Sequence, residues 1–318
     1  MIRRPVLIAV AAASALLIAG CAQESTSAPA TSAPATSAPA TSAPATSAAP
    51  SPSEAASTYA APSPTEAPDP CAKESLATIN PGTLTIGTDS PAYPPYFVDD
   101  DPTNGQGFES AVAYAVAEGL GFTPEEVQWT VVPFNKSYAP GAKDFDFDIN
   151  QISITPKRAE VVTFSDGYYT VNQAVIALDG SPIAGAKSLA DLKDAKLGAQ
   201  VGTTSLQYIT DFVQPGSDPF VYNDTNDAKS ALKNGQIDAI VVDLPTAYYI
   251  TAVEIPKGKI VGQFPAIEGG EQFGLLFQKD NPLVTCVNQV LAELKDSGEL
   301  QTIQDQWLAG EAAPYFTG

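Results

Sequence analysis

Apolar positions along this chain follow two alternating rhythms. Short runs rich in branched and aromatic residues occur at 84–88 (LTIGT), 129–132 (WTVV), 196–201 (KLGAQV) and 237–242 (IDAIVV), and each predicts a strand. Between these runs apolar residues return every three or four positions. Phe108, Val112, Val116 and Leu120 share one helical face, as do Val287, Val290, Leu291 and Leu294, and then Leu300, Ile303 and Trp307. Helix starts are predicted at Thr123-Pro124-Glu125-Glu126, Thr155-Pro156 and Ser188-Leu189-Ala190-Asp191, where a capping hydroxyl precedes Pro or an acid. Strands alternating with helices predict an α/β chain of parallel sheets covered by helices.

The amino-terminal part follows neither rhythm. Arg3 and Arg4 precede an apolar run at 6–18 that ends in Ala19-Gly20-Cys21, too short to span a bilayer comfortably and charged like the start of a secretory signal. The string LIAGC resembles the lipobox of bacterial lipoproteins, which implies a signal peptide over 1–20 and acyl chains on Cys21; an ordinary signal with an incidental cysteine is the alternative. Residues 21–70 are mainly Ala, Pro, Ser and Thr, with SAPAT recurring from Ser27, Ser32, Ser37 and Ser42. Such a segment has too little apolar surface to offset chain entropy and is expected to be a disordered tether, with a reach on the order of 150 Å if extended.

Charge and cysteine content narrow the possibilities. A net charge of −20 argues against nucleic acid and anionic membrane surfaces, which call for a positive field. With no histidine, the triads that rely on it and most zinc chemistry are excluded, and no metal, cofactor or catalytic residue is expected. Cys71 and Cys286 remain in a chain directed to an oxidising compartment, so a disulfide between them is expected, with two free thiols as the alternative.

Chemistry gathers at the predicted strand ends, where open α/β sheets place ligands. Four segments carry it: GTDSPAYPPYF with Asp89, Tyr93, Tyr96 and Phe97; the stretch at 146–169 with Asn150, Gln151, Ser153 and Arg158; VGTTS with Thr203 and Thr204; and IDAIVVDLPTA with Asp243. In order and content they resemble the amino-acid-type solute-binding proteins of ABC importers. The resemblance runs through Gly87-Thr88-Asp89, Gly107-Phe108-Glu109, 153–160 (SITPKRAE), 164–169 (FSDGYY), Gly202-Thr203-Thr204, 235–239 (GQIDA), Phe273-Gly274 and 279–283 (KDNPL).

This resemblance implies a two-lobed fold of the type II periplasmic-binding-protein kind, its ligand cleft lying between lobes joined by two hinge strands near 171–178 and 265–273. The first lobe would comprise 71–172 and a return over 268–318, the second 173–267. It implies a monomeric receptor on the extracytoplasmic face of the cell membrane, held by its lipid and delivering a free amino acid to an importer permease. A buried zwitterion needs both charges paired. Arg158 offers a planar fork to the carboxylate, and the helix expected after Thr203-Thr204-Ser205 offers backbone donors from the other lobe. The resemblance assigns the ammonium to Asp243 with Ser153 nearby, Asp89 to the cleft rim, and Tyr93 and Phe97 to an aromatic wall.

Each residue also has a plainer reading: Arg158 as a surface ion pair with Glu160 or an aspartate, Asp243 as a strand-end cap, Tyr93 and Phe97 as loop packing. Asn150-Gln151 stands where the family often has small residues, so a side-chain amide facing the cleft would favour a polar ligand. A small-carboxylate dehydratase or an amino-acid sensor on the same fold are the alternatives.

Overall fold

The computed structural model describes residues 69–308 and 313–318. The expected signal peptide (1–20), the lipidation site Cys21 and nearly all of the tether (21–70) lie outside the described residues. The first part of the chain runs through β1 (Leu84–Thr88), α1 (Phe108–Gly119), β2 (Val127–Val131), α2 (Phe134–Ser137), β3 (Phe147–Asp148), α3 (Pro156–Ala159), β4 (Val162–Phe164) and β5 (Tyr169–Val171). The middle part contains β6 (Gln173–Leu178), β7 (Leu197–Gln200), α4 (Thr204–Tyr208), β8 (Phe220–Tyr222), α5 (Thr225–Lys233), β9 (Ala239–Asp243), α6 (Leu244–Tyr249) and β10 (Gly258–Gln263). The last part adds β11 (Glu271–Phe273), β12 (Leu276–Gln278), α7 (Leu283–Asp296) and α8 (Glu299–Trp307).

Two five-stranded sheets result, ordered β2-β1-β3-β12-β4 and β10-β6-β9-β7-β8. Both are mixed rather than purely parallel. β1 pairs in parallel with β2 and β3, while β12 runs antiparallel to β3 and β4. In the second sheet β7 pairs in parallel with β8 and β9, while β6 lies antiparallel to β9 and β10. The antiparallel strands are those that enter or leave a sheet at the crossings, a feature that apolar periodicity does not encode.

Helices explain why the central strands read as continuous apolar runs. Every residue of β1 is buried, with Ile86 packed among Phe108, Val112, Val116 and Leu291. In β6 the alternation of side chains sends Val175 and Ala177 into one core and Ala174 and Ile176 into another on the opposite face. Three of the predicted helix starts yield a single turn only, at Pro124–Glu126, Pro156–Ala159 and Leu189–Leu192. The capping boxes at Thr123 and Ser188 form, yet no apolar stripe follows to sustain the helix. Cys71 and Cys286 are joined, tying the first described residues to α7 across a sequence separation of 215.

The chain passes between sheets through β5 into β6 with only Asn172 intervening, and returns from β10 to β11. β5 and β11 form a two-stranded antiparallel ladder that pairs Val171 with Glu271 and Tyr169 with Phe273. The last residues depart from the expected assignment of 268–318 to the first lobe. Tyr315 and Thr317 bridge to Gln263 and Ser188, and Phe316 is buried in the core around β6, β7 and β9, so the tail belongs to the second sheet. An aromatic that fills the space above Gly262, where an added Cβ would come within 2.8 Å of its ring, holds it there.

Candidate functional site

Side chains from the carboxyl ends of strands in both sheets converge on one cleft, including Asp89, Tyr93, Asn150, Thr204 and Asp243. Arg158, on α3, lies beside that cleft and not among the residues that line it, close enough for its charge to act on Asp243. Thr155 caps that single turn by accepting the Arg158 amide at 3.2 Å, which fixes the direction of the guanidinium. Nη1 donates to the Ser153 carbonyl at 2.7 Å and Nη2 to the Gly202 carbonyl of the second sheet at 3.0 Å. The guanidinium also lies over the rings of Tyr138 and Phe134, at 4.7 and 5.4 Å from their centroids. Arg158 is 8% exposed and joins neither ion pair found among the described residues, so it is not a surface partner of Glu160.

From the second sheet, Thr203 caps α4 by accepting the Leu206 amide at 3.1 Å, leaving the first amides of that helix directed at the cleft. The chain continues past α4 as a π-helical stretch at Ile209–Val213 that buries Ile209 and Val213. Thr204 Oγ1 stands 3.3 Å from Ser153 Oγ, and Thr246 Oγ1 3.5 Å from Tyr96 Oη, further contacts across the cleft.

Asp243 ends β9 and makes no side-chain cap to α6, so the strand-end-cap reading does not hold. Its Oδ1 accepts the Gln173 Nε2 amide at 2.6 Å. The same nitrogen lies 3.2 Å from each carboxylate oxygen of Glu271, and Ser153 Oγ donates to Glu271 Oε1 at 2.6 Å. Ser205 Oγ donates to Gln173 Oε1 at 2.6 Å. Burial and then the neighbouring Glu271 charge push the Asp243 carboxyl up to about 8.

Asn150 and Gln151 part company. Gln151 adopts a left-handed backbone (φ 47°), and Glu109, fully buried at the start of α1, accepts its backbone amide at 2.7 Å. Glu109 also accepts the Gln151 side-chain amide and the Tyr168 hydroxyl. Burial pushes the Glu109 carboxyl up to about 7 despite these donors. Both residues line the cleft, but the Gln151 side-chain amide is bonded to Glu109, whereas Asn150 is 7% exposed and has no partner for Nδ2.

At the rim, Asp89 accepts the amides of Ser90 at 2.7 Å and Phe134 at 3.0 Å, and burial raises its carboxyl. Tyr93 faces the cleft with Lys229 Nζ 5.3 Å from its ring centroid, that lysine being paired with Glu254 at 2.7 Å. Phe97 does not contribute to the wall: it is fully buried in the first core, edge-on to Trp129 at 5.9 Å, because the loop turns it away from the cleft. Sequence reasoning missed Gln173, Ser205 and Glu271. Gln173 left a trace, as a polar residue opening an otherwise apolar run. Among the described residues no group of three or more Cys, Asp or Glu could hold a metal ion.

Residues 84–310 match the bacterial extracellular solute-binding proteins, family 3. The chain is 28% identical to the arginine-binding extracellular protein ArtP of Bacillus subtilis over 72% of its own length and 87% of that protein. It is 27% identical to the L-cystine-binding protein TcyJ of Escherichia coli, covering 72% of this chain and 84% of the relative. Among solved structures, an ancestral arginine-binding protein bound to arginine is similar at 32% identity and a TM-score of 0.62, over 72% of this chain and 99% of that one. An ancestral arginine-binding protein bound to glutamine is similar at 31% identity and a TM-score of 0.62, with the same coverage.

Proposed function

This chain belongs to the family 3 bacterial extracellular solute-binding proteins, and from that premise we propose that it binds one free amino acid and presents it to an ABC importer. The observation that carries the reading is a buried Arg158, held by the carbonyls of Ser153 and Gly202 beside the cleft and within electrostatic reach of the Asp243 carboxyl that lines it. Arg158 pairs the ligand carboxylate together with the first amides of α4 after Thr203 and Thr204. Asp243, linked to Ser153 through Gln173 and Glu271, takes the ammonium. The side chain runs toward Asp89, Tyr93 and Asn150, an acceptor-rich end that favours a ligand able to donate hydrogen bonds, arginine or glutamine before others. Catalysis plays no part in this role.

The lobes divide at 172/173 and 267/268, with 313–318 returning to the second lobe, and closure about the β5–β11 ladder gives the permease a loaded form to recognise. Both cysteines of the disulfide lie in the first lobe, which leaves the hinge free. Acyl chains on Cys21 and the tether at 21–70 hold the receptor to the extracytoplasmic face of the membrane, supported by Arg3, Arg4 and the apolar run that follows. Detergent-phase partitioning of the expressed protein, lost in Cys21→Ser, tests the anchor.

A thermal-shift screen against the twenty amino acids tests the receptor. A ligand at a hundred times its dissociation constant adds about 2.7 kcal/mol of stability. One or a few amino acids giving that shift support the reading, and none doing so contradicts it.

A further inference from the structure

Two carboxylates, not one, sit where the ammonium is to dock. Asp243 comes from the end of β9 and Glu271 from the first residue of β11, in the return crossing between sheets. Gln173, the first residue of β6, places one amide nitrogen between them, 2.6 Å from Asp243 Oδ1 and 3.2 Å from both oxygens of Glu271. Glu271 is buried and has further donors in the Ser153 hydroxyl at 2.6 Å and the Tyr208 hydroxyl. Asp243 has the Gln173 amide alone among the hydrogen bonds described.

The groups around the pair do little to balance two negative charges. Arg158 approaches from α3, but its guanidinium is turned to the carbonyls of Ser153 and Gly202. Glu109 at the start of α1 adds a third acid, and Tyr96, Tyr169 and Tyr208 face the pair as neutral hydroxyls. Two carboxylates in one poorly solvated site do not ionise together easily, and the one with fewer donors retains a proton. Burial and the Glu271 charge raise the Asp243 carboxyl to about 8, in keeping with that geometry.

Resting on the receptor reading, we propose that Asp243 and Glu271 form a proton-exchanging ammonium subsite, so that loading an amino acid releases a proton and Glu271 sets the pH range of loading. The step is Asp243 carboxylic acid plus ligand ammonium giving carboxylate paired with ammonium, plus a proton released to solvent. One O–H bond breaks, the ammonium keeps its three protons, and no oxidant or co-reactant is needed. Glu271 is a positioning residue here: it touches Ser153 and shares Gln173 with Asp243, and its charge acts on the ligand through Asp243. Only the deprotonated site binds well, so the apparent Kd falls about tenfold per pH unit as pH rises toward about 8.

Calorimetric titration of the full chain with L-arginine and with L-glutamine, in buffers of differing ionisation enthalpy, measures the proton count. The expected result is close to one proton released near pH 6.5, falling to a minor fraction near pH 8.5. In Glu271→Gln, with the second charge gone, the amino acid still binds, the release near pH 6.5 shrinks and the pH dependence of Kd moves to lower pH, while burial still holds the Asp243 carboxyl above its ordinary value. Glu109→Gln keeps the release. Glu271→Gln that weakens binding equally at both pH values while the proton count stays unchanged would assign Glu271 a merely structural role and overturn the proposal. The wild-type count decides the matter even if the variant does not fold, since binding without proton release near pH 6.5 also overturns it. If neither amino acid binds, the receptor reading fails and this proposal falls with it.

Discussion

Arg158→Met removes the guanidinium while leaving an apolar stem of similar length between Tyr138 and Phe134. In the proposed complex that guanidinium pairs with a carboxylate in a site where Arg158 is 8% exposed, so its loss leaves a buried charge without its partner. Truncating one side of such a pair costs about 3–5 kcal/mol. At 1.4 kcal/mol per decade, the Kd should rise by about two to three and a half orders of magnitude. The fold should suffer far less. The carbonyls of Ser153 and Gly202 lose their donors, at about 1–3 kcal/mol each, but the protein no longer has to desolvate a cation, which offsets much of that cost. A melting temperature within about 10 °C of wild type is expected. Titration calorimetry beside a thermal melt measures both quantities. A Kd within tenfold of wild type, in a variant that folds, would refute the role of Arg158 as the carboxylate partner.

Other perturbations test neighbouring parts of the account. Replacing Cys71 and Cys286 together by serine opens a loop spanning 215 positions, worth up to about 5 kcal/mol in the chain-entropy model; denaturant melts should show a large loss, with amino-acid affinity little changed. The Asp243 and Glu109 carboxyls are held above their unfolded values by burial, at about 8 and about 7. Their stabilisation is therefore full below about pH 4 and lost as pH rises through those values, so the melting temperature without ligand should fall between about pH 5 and pH 8. A rise over that window would contradict the assignment. Phe316→Ala empties a site in the second core and should cost about 3–5 kcal/mol, visible as a lower denaturation midpoint; an unchanged midpoint would place the tail elsewhere.

What the sequence makes legible follows from how each feature is encoded. β1 and β9 can be read directly because both faces are buried, which writes a continuous apolar run. Arg158 and Asp243 stand out in the sequence as charges after a capped Thr-Pro turn and at a strand end, and the structure gives Arg158 no ion pair among the described residues and Asp243 no capping bond. Phe97 is not, since nothing in GTDSPAYPPYF says which of its aromatics turns inward, and the outcome depends on Trp129 being opposite. Glu271 and Gln173 are equally opaque. They lie 98 positions apart and meet only because the β5–β11 ladder sets Val171 against Glu271 while β6 begins two residues later. The tail misleads for the opposite reason: it comes soon after α8 in the chain, yet its backbone bridges to Gln263 and Ser188 and the space above Gly262 that Phe316 fills place it with the second sheet.

The central claim is that the cleft recognises the ammonium and carboxylate of one free amino acid together. The most direct measurement is calorimetric titration of the wild-type chain with L-arginine and L-glutamine beside the same molecules lacking either the α-carboxylate or the α-ammonium. The account predicts saturable one-to-one binding of at least one intact amino acid, weakened at least a hundredfold by removing either charged group. Equal binding of the intact and truncated molecules, or no binding of either amino acid, would contradict it.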